Sequence, residues 1–194
     1  MEDHAHQKVL VPFLEYHLSG QYGLALEIKI RNATGGAGRA VSEFRRYLTE
    51  VEQQNAISLP DLFVVGIDAN CHGWHERRAE ISKAAGDFGE LVAAAVPDPH
   101  IERWLLLDSR AFKAVLGKGC KAPDQKCDRD RYKNKLMEAI QQADQPPFIG
   151  GIEYAEDIVR EWDLEQCKKD ASFRAFVDEM TAFFNRWTSE DDQI

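Results

Sequence analysis

Apolar and polar positions change period several times along the chain, and each change marks an element. In AHQKVLVPFLEYHL, residues 5–18, Val9, Leu10, Phe13, Leu14 and Leu18 recur at helical spacing on one stripe. Pro12 falls inside that stripe and predicts a kink or a helix start nearby. LALEIKIR then alternates: Leu24, Leu26, Ile28 and Ile30 face one way, Glu27, Lys29 and Arg31 the other. That is the pattern of a half-buried strand. NATGGAG breaks it with three glycines, and helical spacing resumes through Val41, Phe44, Leu48 and Val51. Two short apolar runs follow, LFVVGID and LVAAAV, separated by a helical stretch and closed by PDP. The remainder reads as IERWLLLDSRAFKAVL, a loop with Lys and Cys, a helix DRYKNKLMEAIQQA, the turn QPPFIGG and two C-terminal helices. Trp162, Phe173, Phe176, Phe183 and Trp187 are expected to pack those last helices as core.

Short apolar strands alternating with helices imply an α/β fold whose parallel sheet is covered on both faces. Residues 24–31, 61–67 and 91–96 are the expected parallel strands, with helices around 38–53 and 75–86 beside them. No internal repeat or low-complexity segment interrupts this order.

A length of 194 residues suits one domain with a small appendage. The natural division is an α/β part over residues 1–116 and a basic loop with a helical extension over 117–194. No apolar run approaches the roughly 20 residues a bilayer span requires, and MEDHAHQK is no signal peptide. Four cysteines, at 71, 120, 127 and 167, form no regular framework and are expected to be reduced thiols in a cytoplasm. A net charge of −9 argues against a protein that coats nucleic acid by bulk electrostatics. The charge is uneven, however. Residues 103–135 carry ten Lys/Arg against four Asp, and residues 152–194 carry five Lys/Arg against twelve Asp/Glu. Such a split gives either a phosphate-facing surface backed by a partner-facing one, or two ordinary solvated faces.

In parallel sheets a ligand sits at the carboxyl ends of the strands. Asp68, Asn70, Asp98 and the TGGAG loop all fall there. Asp68 and Asn70 are two apart at a strand end and offer two oxygens on one side, a set suited to Mg²⁺. The competing structural role is a helix cap at Asp68 and a turn at Asn70.

The acidic set extends further, through Glu2 at the start and through Glu102, followed by Trp104 and then Asp108, in VPDPHIERWLLLD. Glu2, then IDAN, then IERWLL in that order resembles the Toprim-like nucleases of the topoisomerase/primase and overcoming-lysogenisation type. The resemblance covers about residues 1–116. In that family a glutamate ends the first strand and an Asp-x-Asp ends a later one; here Asn70 stands where the second aspartate is usual. The resemblance implies a Rossmann-like Toprim-type sheet, whose first, central strand is expected to be missing before Glu2, and metal-assisted phosphodiester hydrolysis of nucleic acid. By it Glu2, Asp68 and Glu102 are catalytic, and Glu2, Asp68, Asn70 and Glu102 hold Mg²⁺ or Mn²⁺. Lys118, Lys121, Arg129 and Arg131 are expected to hold phosphate.

Other readings compete. Cys71, His72, His75, Cys120 and Cys127 offer soft zinc ligands, but at no standard spacing. His4, His6, His17 and His100 form no evident constellation. A phosphoryl-transfer enzyme of the haloacid-dehalogenase type would want its Asp-x-Asp on a first strand. TGGAG lacks the Lys-Ser/Thr of a P-loop and reads as a turn. The alternative of another class is a non-catalytic Rossmann-like interaction module, docking by its acidic tail on a partner such as an ATPase.

Overall fold

A computed structural model describes residues 1–53, 59–128 and 130–191. It is a mixed α/β protein, mostly helical, around a two-stranded parallel sheet. The elements in order are α1 (His4–Pro12), a π-helical stretch (Phe13–Ser19), α2 (Gly20–Tyr22), α3 (Ala37–Gln53), β1 (Phe63–Gly66), α4 (Trp74–Ala85) and β2 (Val92–Ala95). The second half adds α5 (Ile101–Trp104), α6 (Ser109–Leu116), α7 (Arg131–Gln142), α8 (Ala155–Arg160), α9 (Leu164–Cys167) and α10 (Ala171–Asp191). No helix among the described residues is long and apolar enough to cross a membrane.

The first helix starts where Asp3 caps it, its carboxylate accepting the His6 amide at 3.1 Å. Pro12 cannot donate to the carbonyl one turn back, and the turns after it widen to the π form instead of breaking. The predicted stripe is fully used: Val9, Leu10, Phe13, Leu14 and Leu18 are all buried.

β1 and β2 pair in parallel with Phe63 opposite Val92 and Gly66 opposite Ala95. Pairing continues past the strand ends, through Ile67 N–H to the Ala95 carbonyl at 3.1 Å and Ala69 N–H to that of Pro97 at 2.9 Å. Alternation along β1 splits the core. Val65 and Ile67 join Ala40, Val41 and Ile81 of α3 and α4 on one face. On the other face Ala93 and Ala95 meet α1, Trp104, Phe112 and the aromatic residues of α10. The strands are thus covered on both sides, as a parallel sheet requires. The C-terminal helices share the core of the N-terminal helix: Phe13 touches Phe173 and Phe176, with ring centroids 6.1 and 5.2 Å apart.

One expected strand is absent. Residues 24–31 run without a ladder, although Leu24, Leu26 and Ile28 turn inward against the core as their alternation demands. Alternation decides which face is buried; a ladder also needs a neighbour along its length. Only the end of this segment finds one. The Met1 ammonium donates to the Arg31 carbonyl at 2.8 Å, and Ala33 N–H donates to the Met1 carbonyl at 2.9 Å. Glu2 N–H in turn reaches the Gly66 carbonyl at 2.8 Å. Met1 and Glu2 therefore stand where a central strand was expected, between residues 31–33 and β1.

The outer edge of β2 is closed differently. Ala94 N–H donates to Glu179 Oε2 of α10 at 2.9 Å, and Arg78 of α4 pairs with the same carboxylate.

Candidate functional site

The end of β1 lies close beneath α1. A Cβ on Gly66 would come within 2.6 Å of Leu10 and 3.2 Å of the His6 ring, so only glycine lets the helix approach this near. That approach delivers His6, from the first turn of α1, onto the residues just past the strand. Glu2 arrives from the segment before α1, and its Oε2 accepts the Asp68 amide at 2.8 Å.

Glu2, His6 and Asp68 each place one ligand-capable atom within 4.8 Å of the others. His6 is wholly buried. Its Nδ1 sits 2.9 Å from Asp3 Oδ1. Its Nε2 lies 3.2 Å from Asp68 Oδ1, at ion-pair distance but without hydrogen-bond alignment. Asp68 Oδ1 also accepts the Ile101 amide at 2.9 Å, so Asp68 fastens the start of α5 and does not cap the helix that follows it in sequence.

Electrostatics follow from this packing. Burial disfavours the His6 cation, but the Asp68 charge and the Asp3 hydrogen bond outweigh it and raise the pKa to about 10. Burial also opposes ionisation of Asp3, and the His6 contacts overcome it, lowering Asp3 to about 2. Burial, reinforced by Asp68, raises both Glu2 and Glu102 above the usual glutamate value. Burial first and the Asp170 charge second raise Asp98.

The stabilising charge of His6 is fully present below its ordinary pKa of 6.5 and is lost as pH rises through about 10. The thermal midpoint should therefore decline between those values. Asp3→Asn removes one carboxylate from the ring and should move the decline to lower pH. A midpoint flat over this range in both proteins, followed by thermal scans, would show His6 to be neutral.

The remaining sequence candidates are only partly brought together. Glu102, in the first turn of α5, lies near enough for Asp68 to perturb it, but outside the cluster of three. Asn70 has a left-handed backbone (φ 51°), and its Oδ1 lies 3.0 Å from His100 Nε2, so the side chain ties its loop to the residue before α5. Asp108 is buried as the cap of α6, accepting the Arg110 and Ala111 amides. Lys118 and Lys121 are exposed. Arg131 pairs with Asp124 and, at 3.8 Å, with Asp128. Arg129 lies outside the described residues. The two turn glycines of TGGAG need their identity for backbone reasons, Gly35 at φ 120° and Gly36 at φ 82°, and a Cβ on Gly36 would meet Glu2 Oε1 at 3.7 Å.

The cysteines depart from expectation. Cys71 and Cys127 are joined by a disulfide, their Cα atoms 5.2 Å apart, so two of the four are not free thiols. The bond uses two of the zinc candidates and fastens the loop carrying Lys118 and Lys121 beside Asn70. Cys120 donates weakly to the Leu106 carbonyl, and burial raises its pKa to about 12.

His6 is the residue that sequence reasoning missed. Its signal was present: it stands three and four positions before Val9 and Leu10, on the buried stripe, and four after Glu2. Comparison with known proteins returned no matching family, no curated relative and no solved structure.

Proposed function

We propose that this chain is a divalent-cation-dependent phosphodiesterase of nucleic acid, built on a Rossmann-like, Toprim-type α/β domain with a C-terminal helical extension. The observation that carries the reading is the meeting of Glu2 and Asp68, 66 residues apart, at the carboxyl end of a parallel strand around a buried ring nitrogen without a hydrogen-bond partner. A pair of carboxylates suits a hard cation. Glu2 and Asp68 would hold Mg²⁺ or Mn²⁺, which supplies Lewis acidity toward a phosphate oxygen and lowers the pKa of a bound water.

The chain's own residues account for the rest. Hydrolysis joins a water oxygen to phosphorus, breaks the bond to the leaving sugar oxygen, and needs a proton taken from the water and one given to that oxygen. Glu102, whose burial holds its proton to higher pH than an exposed glutamate, is the donor this arrangement favours. Glu2 accepts the proton from water. Asn70, braced by His100, shapes the loop behind Asp68. Lys118 and Lys121 face solvent on the tethered loop and are free to meet the phosphate backbone. Arg131 is engaged with Asp124.

A second reading has one observation in its favour. A protonated His6 between Asp3 and Asp68 already balances much of the cluster's charge, as a non-catalytic module docking on a partner such as an ATPase would require. Metal removal separates the two. Protein stripped with EDTA should leave single- and double-stranded DNA and RNA intact, and added Mg²⁺ or Mn²⁺ should restore cleavage of at least one of them on gels. Intact substrates throughout would leave the docking module standing.

A further inference from the structure

We propose that His6 is the nitrogen ligand of a mixed nitrogen–oxygen cation site completed by Glu2 and Asp68, and that the site selects a first-row transition dication, Mn²⁺ or Zn²⁺, over Mg²⁺. The inference rests on the reading of the cluster as a cation site and concerns which ion it takes.

Two observations on the His6 ring support it. Buried ring nitrogens are nearly always hydrogen-bonded. His6 Nε2 is completely buried, has no hydrogen-bond partner, and faces Asp68 Oδ1 at 3.2 Å. The opposite ring nitrogen is anchored: Asp3 Oδ1 sits 2.9 Å from Nδ1. A carboxylate on the far nitrogen fixes the ring orientation and leaves the near nitrogen aimed at an ion, the arrangement common behind metal-bound histidines. Asp3 thus acts as a positioning residue, outside the ligand set.

The carboxylates are equally well held. Glu2 is fixed by the Asp68 amide, and Asp68 by the Ile101 amide. The three ligand atoms lie within 4.8 Å of one another, so a small inward movement brings them round one ion. Three protein ligands leave further positions open for water or a phosphate oxygen. Oxygen ligands alone would suit Mg²⁺ or Ca²⁺, but an imidazole shifts preference toward transition dications.

The test is titration calorimetry of the whole chain with Mn²⁺, Zn²⁺ and Mg²⁺ separately, combined with pulsed electron-spin-echo measurement of nitrogen coupling on the Mn²⁺-loaded protein. Mn²⁺ should bind on the order of tenfold or more tightly than Mg²⁺, with a histidine nitrogen coupled to it. His6→Gln should remove the coupling and bring the two affinities together. Mn²⁺ bound without nitrogen coupling, a Mn²⁺ to Mg²⁺ ratio near one, or no binding at all would overturn the proposal and leave His6 as a charged bridge between Asp3 and Asp68. The coupling is read on the unmodified chain, so the outcome does not depend on His6→Gln folding. Cleavage is scored separately. Cleavage with Mg²⁺ and no nitrogen coupling would sink the metal assignment and keep the hydrolase; coupling without cleavage would do the reverse.

Discussion

Asp68→Asn should reduce metal-dependent cleavage at least about a hundredfold while moving the thermal midpoint by only a few degrees. The asparagine oxygen can still accept the Ile101 amide and lie against His6, so the local fold retains its ties. What it lacks is the charge that draws a dication. Asp68→Ala should behave differently. It removes the Ile101 acceptor and leaves the buried His6 ring without one of its two carboxylates, which costs about 1–3 kcal/mol beyond the lost activity. Progress curves for cleavage, taken beside thermal scans of both variants, separate these effects. Full activity in Asp68→Asn would remove Asp68 from the chemistry.

Trp104→Ala should cost about 3–5 kcal/mol and lower the midpoint by roughly 10 °C, the largest stability effect expected from one side chain here. The indole is entirely buried. It stacks on Phe176 at 5.8 Å and meets the Phe173 ring edge-on at 5.1 Å, while its Nε1 donates to Ser172 Oγ at 3.0 Å. Ser172 passes the tie to Asp170, which pairs with the buried Arg103. Truncation therefore opens a cavity and loosens α5 together. Since α5 begins at Ile101, whose amide holds Asp68, the same variant should also weaken ion binding. Calorimetric unfolding reads the first effect; a loss below about 1 kcal/mol would show that the core closes over the gap.

These two residues also show what could be read from sequence. Trp104 stands in an apolar run, and such runs specify burial with little ambiguity; the stripe from Val9 to Leu18 and the strand runs before Asp68 and Pro97 were legible in the same way. Asp68 was legible as a strand-end carboxylate, because a polar residue ending a buried strand needs a partner. Residues 24–31 were legible only by half. Their alternation placed Leu24, Leu26 and Ile28 inward, but whether an extended segment joins a ladder depends on what lies beside it, and that is not local information. His6 was legible only in part: its spacing from Val9 and Leu10 and its neighbour Asp3 were local, but Asp68, which makes it a member of the cluster, is 62 positions away. The Cys71–Cys127 bond closes 56 residues and has no spacing signature at all.

The carboxylate of Glu179 at the rim of β2 fixes the width of the sheet. An edge strand ordinarily offers its outward amides to any extended chain that comes near. Here the Ala94 amide is already engaged by an acceptor from α10, where a neighbouring carbonyl would otherwise stand. The acceptor carries charge, so it repels an incoming carbonyl as well as occupying its position. α10 thereby works as a terminator: pairing with another molecule is opposed at this point of the edge, and the longest helix among the described residues is tied to β2 near its own middle.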